Sequence, residues 1–573
     1  MTTVRDEFFR TLRHHGMTTM FSNPGSTEIP LLAEFPADFT FVLCLHEASV
    51  VGAATGWSLG KQRPALALLH TTAGLGNAVG AIATARVNRA PLVIVVGQQD
   101  RRHLAYEPFL AGELEGLAGR YPVWTATPAR AADVPALISQ ARHHAVTARG
   151  PAVVIVPMDD WAEPYEEPMQ AAAPRQLEVG VGVDRRLCSE VARSLLAARA
   201  PAIVAGAGAD HPRTWAALAE LAELLRCPVW QEPFGARAGF PQDSGRFAGH
   251  LPAGRAALRQ ALGAHDVVLV AGAAALRQYG YEPGPLFAAG TKIVVVTDDL
   301  AEAARSVADL AVLTPLPGFC ELLTRLVARR AGTRPEQAQA GRQVSNGQRG
   351  NGHQPGGPDW RQPPGRGLRA EDVFTALRSR LPADAVLVEE SPSSRPQLQD
   401  MVPARAPLGF LSAAMGGLGF AMPAAMGLKL ACPRRPVVAV VGDGSSLYAC
   451  QSLWSAQRYQ AGVLYVVLSN GGYAIMDRLA AEAGGQPPWP SFSDVDIGRL
   501  ASSFGCPSVR VQTCGELATV LDDVIPALAS RSEPLLVDVT VEPARPHDRR
   551  AAVAAAASLA HPDRKPHNEQ QPA

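Results

Sequence analysis

The sequence predicts an α/β protein built from three doubly wound, parallel-sheet domains. Three observations carry this. Short apolar runs rich in β-branched residues recur between glycine turns and segments of helical spacing, the pattern of strands buried on both faces and joined by crossover helices. The 573 residues are too many for one core. A strand, glycine turn, helix, strand unit occurs twice, over residues 64–97 and 436–470, so two related domains are expected to flank a third.

The elements follow in order. Residues 4–15 form an amphipathic helix and 19–22 a short strand leading into the turn Asn23-Pro24-Gly25-Ser26. A strand over 39–45 ends at His46-Glu47 and is followed by a helix over 48–60. The strand 65–69 runs into a glycine turn, Thr71-Thr-Ala-Gly74-Leu-Gly76-Asn77, that opens a helix to about residue 87, and 91–97 is the next strand. These make a first domain, 1–165. Strands over 201–205, 266–272 and 292–297 belong to a middle domain, 184–330. Its turn Gly206–Asp210 lacks the full dinucleotide fingerprint and reads as a tight turn without a ligand. Residues 331–367 are rich in Gln, Gly, Arg, Pro and Asn without apolar period and read as a disordered linker. A third domain spans 368–543, and 544–573 reads as a flexible tail.

Composition narrows the function classes. Lysine plus arginine number 53, as do aspartate plus glutamate, so no global field draws in nucleic acid or an anionic membrane. The eight cysteines form no CxxC pair and read as buried thiols of a reducing compartment. The N-terminus lacks the apolar stretch of a signal peptide, and no segment approaches the ~18 apolar residues of a membrane span. A cytoplasmic protein is expected.

The most informative stretch is 436–473. Gly442-Asp443-Gly444-Ser445 follows one strand, and Asn470-Gly471-Gly472-Tyr473 follows the next. Between them, 446–459 carries Leu447, Cys450, Leu453 and Trp454 at helical spacing. Asp443 and Asn470 therefore fall at the carboxyl ends of two neighbouring strands, where open α/β sheets place ligands. Their oxygens suit Mg²⁺ or Ca²⁺, and the N–H groups of the turn suit phosphate. A lone Gly-Asp-Gly is an ordinary strand-to-helix turn; the 27 positions from Asp443 to Asn470, with a strand ending at each, favour a metal–diphosphate site.

With Asn23-Pro-Gly-Ser26-Thr-Glu-Ile-Pro, Leu45-His-Glu47-Ala, Leu69-His70-Thr-Thr-Ala-Gly-Leu-Gly-Asn77, Gly97-Gln-Gln and Gly416-Gly-Leu418-Gly-Phe420-Ala-Met-Pro, the chain resembles the thiamin diphosphate (ThDP)-dependent decarboxylases and carboligases, most of all the benzoylformate decarboxylase type. The likeness covers almost the whole length except the linker and tail. It implies pyrimidine-binding, middle and diphosphate-binding domains. Glu47 would bond the aminopyrimidine and promote its imino tautomer, from a largely apolar site that raises its proton affinity. Asp443, Asn470 and the Gly472 carbonyl would ligate Mg²⁺ (or Ca²⁺). Asn23, Pro24, Gly25, Asn77, Ser393, Gly442, Gly444, Ser445, Tyr448 and Tyr473 would line the cofactor. Leu418 would wedge it into a bent form, and the Gly416 carbonyl would accept from its amine. Ser26 would bind the substrate carboxylate, and His70 would donate a proton to the keto oxygen.

The departures from the family are specific. Its second active-site histidine falls at Tyr279, in Arg277-Gln-Tyr279-Gly-Tyr-Glu-Pro-Gly284. With a reference pKa of ~10, tyrosine is a poor proton source at neutral pH. The phosphate-side Ser-Thr-Ser becomes Ser391-Pro392-Ser393, and the pocket positions become Ile475 and Leu479, facing Phe109 and Leu110 on the other wall. The resemblance implies a homodimer or homotetramer with Glu47 and Asp443 contributed by different chains. The expected activity is non-oxidative decarboxylation of an aryl or branched 2-oxo acid to an aldehyde. Loss of the histidine motivates carboligation onto an aldehyde or keto acceptor as the alternative. A non-catalytic ThDP-fold subunit is the third reading.

Overall fold

The computed structural model describes residues 1–165, 177, 182–331 and 366–543. The expected linker, save residues 331, 366 and 367, and the whole expected tail lie outside the described residues. The described chain divides into two compact units: 1–165 with 366–395 and 410–543, and 182–331 with 396–409.

The first unit holds two six-stranded sheets. One comprises β1 (Thr19–Asn23), β2 (Thr40–Leu43), β3 (Ala65–His70), β4 (Leu92–Gln98), β5 (Trp124–Ala126) and β6 (Pro151–Pro157), in the order β2-β1-β3-β4-β6-β5. The second unit holds β7 (Pro201–Ala205), β8 (Val229–Gln231), β9 (Phe247–His250), β10 (Val267–Ala271), β11 (Lys292–Thr297) and β12 (Leu310–Leu313), in the order β12-β11-β10-β7-β8-β9. The first unit's other sheet comprises β13 (Val386–Glu390), β14 (Phe410–Ser412), β15 (Val437–Gly442), β16 (Leu464–Ser469), β17 (Ser508–Val511) and β18 (Leu535–Thr540), in the order β14-β13-β15-β16-β18-β17. Every strand pair in the three sheets is parallel. The expected class is thus observed.

Counted from its own first strand, each sheet of the first unit has the order 2-1-3-4-6-5. The middle sheet, read from its other edge, has the 3-2-1-4-5-6 order of dinucleotide folds. The likeness of the outer sheets extends to register. Ser22 pairs with Leu43 and Asn23 with Leu69; Glu389 pairs with Ser412 and Glu390 with Val441. His70 and Gly442 therefore end corresponding strands.

Two helices that follow the second strand of each outer sheet, Glu47–Lys61 and Ala421–Ala431, pack backbone to backbone. A Cβ on Gly56 would lie 1.9 Å from the Ala424 carbonyl oxygen, and one on Gly427 would lie 1.9 Å from that of Ala53. Only glycine permits this approach.

One expected element differs. The segment 446–459 is helical only over Ser452–Arg458; a separate helical turn, Asp443–Ser446, ends where the expected helix begins. Between the two, the chain tightens into turns closed three residues apart, Tyr448 N–H donating to the Ser445 carbonyl and Ala449 N–H to that of Ser446, each at 3.2 Å. In the middle sheet, a Cβ on Gly206 would lie 2.5 Å from the Gly272 carbonyl oxygen, and Asp210 pairs with Arg237 at 3.0 Å. These turn glycines are accounted for by packing of one turn on the next.

Candidate active site

Glu47 is the first residue of its helix, where the exposed N–H ends favour a carboxylate. It is buried, and both oxygens are engaged: Oε1 accepts from Asn23 Nδ2 at 2.8 Å, and Oε2 from Asn77 Nδ2 at 3.0 Å. Asn23 ends β1, and Asn77 lies on the helix Thr71–Val87 that follows β3. The largely apolar surroundings expected for Glu47 are thus replaced by two amide donors, and the two asparagines assigned to the cofactor hold this carboxylate.

His70 ends β3. Its Nδ1 lies 2.9 Å from Thr27 Oγ1 and 3.1 Å from Glu28 Oε2. Glu28 is only 1% exposed and also accepts from the Gly25 N–H at 2.7 Å. With Nδ1 committed to this brace, Nε2 is the ring atom left for a substrate. Two glycines make room: a Cβ on Gly25 would sit 2.4 Å from His70 Cγ, and one on Gly97 would sit 1.8 Å from Glu28 Oε1. Thr71, β-branched, is held at φ 31°, a strained conformation of the kind that collects at active sites. Ser26 opens the short helix Ser26–Glu28 with an exposed side chain. Thr27 and Glu28 were missed as site residues. They lie inside the quoted Asn23–Pro30 run, but an acid there reads as a surface group until its turn is packed on β3 and β4.

Asp443 follows β15 and is buried. Oδ1 accepts from the Gly444 N–H at 2.8 Å, and Oδ2 from those of Asn470 and Gly471 at 2.9 and 2.7 Å. Burial nevertheless pushes its carboxyl above the ordinary range, the three N–H donors opposing. Asn470 Oδ1 accepts from the Gly472 N–H at 3.1 Å. The 443–470 pairing expected from spacing is therefore a direct contact. Gly471 has φ 75°, and a Cβ on Gly444 would lie 2.7 Å from the Tyr473 ring. These residues fit a hard cation: the donors are all oxygen, Asp443 Oδ1 keeps a free lone pair, and a divalent charge there offsets the cost of burial.

The turn before the helix Ala421–Ala431 carries Gly416 at φ 78° and Gly419 at φ 86°, and between them Leu418 is 37% exposed. Ser393 lies in the turn after β13, Ser445 is buried, and Tyr448 and Tyr473 are exposed. Ile475 and Leu479 share one face of the helix Ala474–Glu482. Phe109 and Leu110 lie on a loop pinned by Gln98, which donates to the Gly112 carbonyl at 2.6 Å and accepts from its N–H at 3.2 Å. Tyr279 belongs to the second unit. Its N–H donates to the Ala253 carbonyl at 3.2 Å and its side chain is exposed.

This is a parallel-sheet protein with a braced carboxylate at one helix start and, at another, an oxygen-only donor set that fits a hard cation. Comparison with known proteins identifies the class. Residues 2–117 match the thiamine pyrophosphate enzyme N-terminal TPP binding domain, 188–323 the central domain, and 394–539 the C-terminal TPP binding domain. The chain belongs to the ThDP-dependent enzyme family. It is 36% identical to benzoylformate decarboxylase of Pseudomonas aeruginosa, over 95% of this chain and 100% of that one. It is 30% identical to a putative acetolactate synthase large subunit of Mycobacterium tuberculosis, over 93% and 97%. The ThDP-dependent 4-hydroxybenzoylformate decarboxylase of Rhodococcus jostii RHA1 superposes with a TM-score of 0.85 at 33% identity, covering 94% of this chain and 99% of that one. No helix among the described residues is long and apolar enough to cross a membrane.

Proposed function

We propose that this enzyme catalyses ThDP- and Mg²⁺-dependent, non-oxidative decarboxylation of a 2-oxo acid of the benzoylformate type, giving an aldehyde. The observation that carries the reading is the pair of braced groups in one sheet: Glu47 held by Asn23 and Asn77, and His70 held by Thr27 and Glu28. Bound ThDP supplies the electron sink for loss of CO₂. Glu47 exchanges a proton with the aminopyrimidine, Ser26 binds the substrate carboxylate, and His70 Nε2 holds the proton that meets the keto oxygen. Asp443, Asn470 and the Gly472 carbonyl hold the metal. Gly442, Gly444, Ser445, Ser393, Tyr448 and Tyr473 frame the diphosphate. Pro24, Gly25, Gly416 and Leu418 shape the rest of the cofactor site. Phe109, Leu110, Ile475 and Leu479 set the pocket, and Tyr279 stands where the family carries its second active-site histidine. The domain limits proposed are 1–165, 184–330 and 368–543. The assembly is a homodimer or homotetramer, with Glu47 and Asp443 of one site drawn from different chains, working in the cytoplasm. Incubation with ThDP, Mg²⁺ and a panel of 2-oxo acids, reading CO₂ and aldehyde, is the test; no CO₂ from any of them rejects the proposal.

A carboligase outcome is the second reading, favoured by Tyr279 where the family carries histidine and by the likeness to an acetolactate synthase. It predicts that Tyr279→His shifts product from ligation to aldehyde when an acceptor aldehyde is supplied. An unchanged partition removes it.

A further inference from the structure

The two outer sheets share a rule at the end of their first strands. Asn23, the last residue of β1, reaches the start of the helix that follows β2, where it donates to Glu47 Oε1 at 2.8 Å. Glu390, the last residue of β13, occupies the same register position and reaches the start of the helix that follows β14. There its Oε1 accepts from the Gly419 N–H at 2.6 Å, and its Oε2 accepts from those of Phe420 and Ala421, each at 2.7 Å. Glu390 is 5% exposed. Its neighbour Glu389 is committed elsewhere, lying 3.2 Å from Arg395, whose other nitrogen donates to Ser412 Oγ at 2.9 Å.

The turn that Glu390 grips is the one from Gly416 to Phe420. It has two left-handed glycines, and it holds an apolar side chain, Leu418, out toward solvent. Left to itself such a turn has many conformations, because glycine loses more freedom than any other residue on ordering. Three short bonds to one buried carboxyl group fix its end. Tyr448 bounds the other side: a Cβ on Gly419 would lie 3.1 Å from Tyr448 Cβ. Asn88 fixes the turn's beginning, its Oδ1 accepting from the Ala414 N–H at 3.0 Å and its Nδ2 donating to the Ser412 carbonyl at 3.0 Å.

We infer that Glu390 is a positioning residue for the cofactor: by holding the Gly419, Phe420 and Ala421 N–H groups it presets the Gly416–Phe420 turn, and with it Leu418, in the shape that receives ThDP. This rests on the reading that Gly416 and Leu418 face the cofactor. Asn23 orients a side chain in one sheet; Glu390, at the equivalent position, orients a backbone segment in the other.

The test compares wild type, Glu390→Gln and Glu390→Asp in two measurements. Hydrogen exchange on the cofactor-free protein reads the amides of 419–421. Titration calorimetry with ThDP and Mg²⁺ reads affinity. Glu390→Gln puts an amide NH₂ among N–H donors. Exchange at these amides is expected to rise more than tenfold, and the Kd for ThDP about 10- to 100-fold, as for loss of an outer-shell partner. Glu390→Asp keeps the carboxyl group and is expected to recover part of both. It carries the comparison alone if Glu390→Gln does not fold. Wild-type exchange at 419–421 in both variants, or a Kd within twofold of wild type despite faster exchange, overturns the inference. A wild-type protein that binds no ThDP overturns instead the cofactor placement on which it rests.

Discussion

The two outer sheets have one strand order and one register, yet their corresponding strand ends carry different chemistry. Where β3 ends in His70 and turns through strained Thr71, β15 ends in Gly442 and turns through Asp443. Where β1 sends an amide from Asn23 onto Glu47, β13 sends a carboxylate from Glu390 onto backbone N–H groups. In the first sheet the polar groups brace one another, Glu47 through both its oxygens and His70 through Nδ1. In the other they gather oxygens and N–H donors suited to a cation and a phosphate. The scaffold therefore decides where functional groups stand, and the strand-end residues decide the chemistry offered there, which under the proposed function is proton transfer in one sheet and cofactor binding in the other.

This division of labour is easiest to break at its two acids. Glu47→Gln keeps size and one accepting oxygen, turns the other into an NH₂ that faces an asparagine amide, and removes the ionisable group. Turnover is expected to fall about 10²- to 10⁴-fold with ThDP affinity nearly unchanged. Asp443→Asn is expected to do the reverse, weakening ThDP–Mg²⁺ binding about 100-fold. Steady-state rates at saturating cofactor, beside calorimetric Kd values, separate the two. Equal loss of affinity in both variants would erase the distinction.

The contact shared by the two halves is a second place to press. In Gly56→Ala the new Cβ would sit 1.9 Å from the Ala424 carbonyl oxygen, so the helices must move apart. A loss of about 3 kcal/mol is expected, the upper range for overpacking, and is read as a lowered unfolding midpoint. Gly76→Ala is the control, since nothing lies within 4 Å of its Cβ position. A smaller probe is Glu28→Gln. The expected outcome is a fall in kcat of about 100-fold from a misplaced imidazole, with ThDP affinity retained. Unchanged kcat would make the Glu28 brace purely structural.

These contrasts were legible in the sequence to different depths. Asp443 and Asn470 could be placed because each immediately follows a recognisable buried strand, so local pattern fixed their three-dimensional position. The repeat of strand, glycine turn, helix and strand was visible too. The common 2-1-3-4-6-5 order was not, since strand order depends on contacts far apart in sequence. Glu28 and Glu390 escaped notice for the same reason: their partners lie 42 and 29 to 31 residues away. Nothing local distinguishes a buried acid from a surface one. The break after Asp443 was misread because apolar spacing alone does not tell a continuous helix from turns closed three residues apart.

The finest contrast between the sheets is electrostatic. Burial holds the Glu390 carboxyl up at about 7, with the Glu389 charge adding to the rise and three backbone N–H donors opposing it. Its ordinary value is 4.5. Between these values the folded protein binds a proton that the unfolded chain releases. The associated stability is fully present below about pH 4.5 and is lost as pH rises through about 7. Glu390→Gln removes that titration while leaving others, including that of Asp443, common to both proteins. The stability of wild type minus that of Glu390→Gln should therefore shrink by roughly 2 kcal/mol from pH 5 to pH 8. Unfolding midpoints of the two cofactor-free proteins, measured side by side at both pH values, give this difference. A gap that stays constant or widens with pH would mean that Glu390 is ionised throughout, its three N–H donors outweighing its burial.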